Sequence, residues 1–168
     1  LARVRQACGR EDRDVKFRGG GTQTKLTVVA GTLRPDQGVI SADTGHINVH
    51  ETGAVEATGH KVIALPSADG KLTAQQVLDC YHEHWNDATH EHIVQPGMVY
   101  ISNPTETGSI YHRSELQALA AACRECGLPL FMDGARLGYG LAAEDNDLDL
   151  PTITDCCDVF YIGGTKVG

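Results

Sequence analysis

The chain has no excess of positive charge, no long apolar run, no framework spacing of cysteines and no internal repeat. Its 168 residues carry a formal charge of -8, which argues against a general binder of nucleic acid or of an anionic membrane surface. No stretch approaches the ~18 consecutive apolar residues of a membrane helix. The opening stretch LARVRQACGR does not read as a signal peptide, because its apolar part is too short and too charged. The six cysteines (Cys8, Cys80, Cys123, Cys126, Cys156 and Cys157) are scattered and mostly sit in apolar patterns. They read as the reduced thiols of a cytoplasmic protein. Low-complexity tracts and linkers are also missing.

What is present is enough for a core: 41% of the residues are hydrophobic. The length fits one domain or part of a larger one. The chain opens without Met, in helical character, and stops at GGTKVG directly after an apolar run. A parallel strand normally continues into a helix, so a piece of a longer protein is expected.

Strand and helix signals alternate. DVKF, GVISAD, KVIALP, GMVYISN, LPLFMD and DVFYIGG read as strands, the last as an apolar centre strand. TQTKLTVVAGTL reads as a helix despite its β-branched residues. INVHETGAVEATG reads as one helix closed by Gly59. TAQQVLDCYHEHW follows a capping box formed by Thr73 and Gln76. In RSELQALAAACRECG, Leu116, Leu119, Ala120 and Cys123 share one face, and Gly127 ends the helix. Continuous apolar strands between amphipathic helices predict an α/β fold: three layers, with a mostly parallel sheet covered on both faces.

In such sheets ligands gather beyond the C-terminal strand ends. There the sequence places Gly19 to Thr22, Asp43 to His46, Asn103 to Gly108, Asp133 to Arg136, and Lys166. Three glycines before a helix let the backbone approach an anion, with Thr22 as a further donor. An ordinary tight turn has the same composition. GGGTQT fits neither the dinucleotide pattern nor a P-loop, so a single phosphate is the largest anion group it suits. Lys166 is either a solvated loop lysine or an amine suited to attack a carbonyl. Asp133 serves as an N-cap beside a local ion pair to Arg136, or as a cofactor ligand. His46 is a capping or core histidine, or a flat lid on a ring. A lysine for an aldehyde, an acid for a ring nitrogen and an anion site together point to pyridoxal phosphate.

The stretches GGTQT, DTGHINVHETGAVEATGHKV, SNPTETG, MDGARLGYG and YIGGTK, in that order, resemble the threonine aldolase and β-eliminating lyase group of fold-type I pyridoxal-phosphate enzymes. The resemblance covers nearly the whole chain, and DGAR followed by a downstream lysine is its more specific part. It implies that residues 1–168 form part of the cofactor-binding large domain, without the family's N-terminal segment or C-terminal small domain. It implies roles as well. Lys166 would hold the cofactor's aldehyde, Asp133 would pair with the ring nitrogen, and His46 would stack on the ring and assist with a proton. Gly21 and Thr22 would hold the phosphate, and Arg136 the substrate carboxylate. Lys25 departs from the family, standing where relatives commonly have asparagine, and Arg18 adds charge beside the glycines.

The activity implied is cleavage of a β-hydroxy amino acid, threonine or allo-threonine, to glycine and an aldehyde. β-Elimination and transamination are alternatives on the same fold. A homo-oligomer, dimer or tetramer, is implied too. A different class, a non-catalytic or zinc-binding interaction domain, rests on Cys80, His82, His84, His90 and His92, with Cys123 and Cys126 as a C-x-x-C pair. His82 and His84 are two apart on an expected helix and diverge. No metal site is therefore expected.

Overall fold

The computed structural model describes residues 1–167. In chain order the elements are α1 (Ala2–Ala7), α2 (Gly21–Thr32), β1 (Gln37–Ala42), α3 (His46–Val49), β2 (Val62–Leu65), α4 (Ala74–Asn86), β3 (Gln95–Ser102), α5 (Arg113–Cys126), β4 (Leu130–Gly134), α6 (Leu137–Leu141), α7 (Leu150–Cys156) and β5 (Val159–Ile162). The five strands form one sheet in the order β2-β1-β3-β4-β5, with every neighbouring pair parallel.

Side-chain alternation along each strand sorts the core into two layers. Ile40, Val99, Ile101, Leu130 and Met132 point to one face, where they meet Val77 of α4, Leu116, Leu119 and Cys123 of α5, and Ile153 of α7. Val39, Met98, Tyr100 and Phe131 point to the other, where they meet Val29 of α2 and Ile47 of α3. Both faces are covered, and the three-layer α/β architecture is as the sequence implied. Asp133 has the parity of Phe131, so it belongs to the α2 and α3 side.

Local signals explain the helix ends. Thr73 Oγ1 accepts from the Gln76 N–H at 3.2 Å, and Gln76 Oε1 accepts from the Thr73 N–H at 3.0 Å. That is the capping box at the head of α4. At the head of α5 the His112 N–H donates to Glu115 Oε2 at 2.8 Å. At its foot Gly127 takes a left-handed conformation, φ 66°. Leu116, Leu119, Ala120 and Cys123 are buried, as the periodicity of α5 required.

Two expectations fail. DVKF forms no strand, and Phe17 is 83% exposed. Its alternating charges could serve an edge strand, but no strand among the described residues pairs with it. The glycines before α2 therefore follow irregular chain. INVHETGAVEATG is not one helix: α3 stops at Val49, and two short 3₁₀ turns follow at Glu51–Gly53 and Glu56–Thr58. The break lies at Glu51 and Thr52, with φ of 70° and 51°, a region that side chains seldom adopt. It turns the Glu51 carboxylate inward. Among the described residues β5 lies at one edge of the five-stranded sheet and is half-buried there.

Candidate active site

The site is organised by Asp133 near the end of β4. Only 4% of this residue is exposed, yet both carboxylate oxygens are fully used. Oδ1 accepts from the Tyr161 hydroxyl at 2.5 Å and from the Ala135 N–H at 2.9 Å. Oδ2 accepts from the Tyr100 hydroxyl at 2.6 Å and from Lys25 Nζ at 3.0 Å. Burial alone would raise the Asp133 pKa. The Lys25 charge, the two phenols and the Ala135 amide outweigh it and hold the carboxyl below its usual range. Burial, then the Asp133 charge, push both tyrosines up, so each stays a donor.

Lys25 comes from α2 and is 3% exposed. Its ammonium also pairs with Glu51 Oε1 and lies 3.3 Å from His46 Nδ1. His46 Nδ1 is 2.7 Å from the same Glu51 oxygen. A neutral His46 whose Nδ1–H donates to Glu51 keeps its lone pair on Nε2. The His46 N–H donates to Glu106 Oε1 at 3.2 Å, and that oxygen also accepts from Ser102 Oγ at 2.7 Å. Glu51 Oε2 is buried and has no hydrogen-bond partner.

The glycine turn abuts this cluster. A Cβ on Gly21 would lie 2.7 Å from the Tyr161 hydroxyl, closer than side chains tolerate. Thr22 is exposed in the first turn of α2, where the leading N–H groups lack helical acceptors. Arg136 precedes α6 and makes no ion pair among the described residues. It lines a cavity of about 320 Å³ with Thr105, Glu106, Ile110 and Tyr139. Lys166 is exposed in the turn after β5, and its carbonyl accepts from the Tyr139 hydroxyl.

The structure thus gathers Asp133, His46 and Gly21 into one cluster, with Arg136 on the adjoining cavity. Lys166 and Thr22 are exposed, and neither makes a side-chain hydrogen bond or ion pair to Asp133 or His46 among the described residues. Sequence reasoning missed Tyr100, Tyr161 and Glu51, and treated Lys25 only as a departure. Strand register held the signal for Tyr161, which pairs directly with Asp133. On the remaining cluster, His84 packs beside Trp85 and His90. Cys123 is a core thiol, its pKa pushed up to about 12 by burial. Among the described residues no three His, Cys, Asp or Glu are grouped to hold a metal ion, and no helix is long and apolar enough to cross a membrane.

A family model described as beta-eliminating lyase matches residues 2–168. The chain belongs to the beta-eliminating lyase family. It is 33% identical to the low specificity L-threonine aldolase of a Pseudomonas species over 94% of this chain and 45% of that protein. The corresponding Pseudomonas aeruginosa protein is 31% identical over the same shares. This member of the family therefore spans about half the length of its curated relatives. Among solved structures, the threonine aldolase of Leishmania major is 48% identical, with a TM-score of 0.93 over 98% of this chain and 47% of that one. A putative L-allo-threonine aldolase of Listeria monocytogenes, at 20% identity and a TM-score of 0.68 over 96% of this chain and 42% of that one, shares the fold.

Proposed function

We propose that the whole protein is a pyridoxal-phosphate-dependent lyase. It would cleave the Cα–Cβ bond of threonine or allo-threonine to give glycine and acetaldehyde. The observation that carries this reading is the Asp133 carboxylate: buried, ionised by its surroundings, and set at a strand end beside a glycine turn and a histidine. The relatives' names support the substrate class.

The residues fit the cofactor at several points. A carboxylate with a lowered pKa suits a protonated ring nitrogen. Gly21, with no room for a Cβ, fits a backbone that closes tightly on its surroundings. When bound, pyridoxal phosphate supplies a sink for the electron pair released from the scissile bond. Asp133 would hold the ring nitrogen, Gly21 and Thr22 the phosphate, and Lys166 the aldehyde carbon. His46 would lie against the ring, and its Nε2 would take the β-hydroxyl proton, with Glu51 fixing the tautomer through Nδ1. Arg136, a guanidinium without a partner among the described residues, would orient the substrate carboxylate by a bidentate contact. A homo-oligomeric, cytoplasmic enzyme completes the reading, as the resemblance implies.

The test is product analysis with the full-length protein, pyridoxal phosphate and threonine. Glycine and acetaldehyde in equal amounts are expected. Ammonia with a keto acid would mean β-elimination, a keto acid without ammonia would mean transamination, and no visible cofactor band would favour a non-catalytic domain.

A further inference from the structure

We propose that Lys25 competes with the cofactor's ring nitrogen for Asp133, and that loading the site moves its ammonium onto Glu51. This inference rests on the pyridoxal-phosphate reading above. It begins from a count of acceptors. A carboxylate offers about four lone-pair sites, and Asp133 already receives four donors: Tyr161, Ala135, Tyr100 and Lys25. A protonated ring nitrogen can bond to Asp133 only if one of them yields.

Three of the four are poorly able to do so. The Ala135 N–H is backbone, two residues from Asp133. Tyr100 is 1% exposed, and its ring packs edge-on to Phe131. Tyr161 is confined between Gly21 and the Asp133 register position. Lys25 differs because it has somewhere else to go. It already touches Glu51 Oε1, and Glu51 Oε2 is buried without a partner. A buried carboxylate oxygen left unpaired is costly, and an ammonium brought fully onto Glu51 removes that cost. The left-handed backbone at Glu51 and Thr52 is what aims this carboxylate at Lys25.

The experiment measures cofactor affinity, not turnover. Apo full-length protein is titrated with pyridoxal phosphate and with the analogue whose ring nitrogen is replaced by C–H, in wild type, Lys25→Asn and Glu51→Gln. The ratio of the two dissociation constants reports what the ring nitrogen contributes. In Lys25→Asn this ratio should rise about tenfold or more, the scale of one charge-assisted hydrogen bond. In Glu51→Gln, where Lys25 loses the second carboxylate that would take up its charge, the ratio should fall, and this arm decides alone if Lys25→Asn does not fold. Ratios equal to wild type in the variants that fold would overturn the inference while leaving the cofactor reading intact. If wild type takes up no pyridoxal phosphate at all, the proposed function fails and this inference fails with it.

Discussion

The hydroxyl of Tyr161 occupies the space that a side chain on residue 21 would need: a Cβ there would be 2.7 Å from it, and the same hydroxyl donates to Asp133. The glycine turn and the strand-end acid are therefore one unit. Gly21→Ala should displace Tyr161 and cost about 1–3 kcal/mol of stability, the scale of overpacking. In a Tyr161→Phe background, which removes the clashing oxygen, the same change should cost about 1 kcal/mol less. Denaturant unfolding of the four proteins gives the coupling, and strictly additive costs would separate the two residues.

Asp133→Asn keeps the shape but removes the charge that favours a protonated ring. Cofactor should still bind, while turnover falls by at least ~10²-fold, about 3 kcal/mol of electrostatic stabilisation. The variant also reports on pH. The folded Asp133 pKa is lowered, so its contribution to stability is present above the ordinary carboxylate pKa of about 4 and is lost as pH falls through the lowered value. Wild type should therefore exceed Asp133→Asn in stability at neutral pH, and the gap should close in acid. A gap that stays constant from pH 7 to pH 2 would mean the charge is not what matters.

Away from the site, the buried Tyr111 hydroxyl accepts from the Leu72 N–H at 2.7 Å. Tyr111→Phe strands that buried amide and should cost about 1–3 kcal/mol. Thermal or denaturant melts check this, and an unchanged midpoint would mean that the Leu72 amide finds another partner.

How much of this could be read from the residues follows from the range of each interaction. β1, β3, β4, α4 and α5 were legible because their signals are local: apolar runs, the Thr73 and Gln76 box, the single apolar face from Leu116 to Cys123. Asp133 and His46 were legible because motif spacing marks them. The Lys25 contact was not. Its partner Asp133 is 108 residues away in the chain, and α2, with only Lys25 and Val29 fully buried, lacks a wide apolar face to announce which side turns inward. Glu51 was hidden inside a helix-like pattern that its own backbone breaks. DVKF misled because alternation describes a side-chain pattern and says nothing about whether a neighbouring strand exists.

Two lysines stand near the centre of the account, one buried against Asp133 and one exposed after β5. The most direct measurement is borohydride reduction of the cofactor-loaded full-length protein, followed by peptide mapping. The account predicts a single pyridoxyl group on Lys166, with Lys25 unmodified. A label on Lys25, or on Lys61, would contradict it.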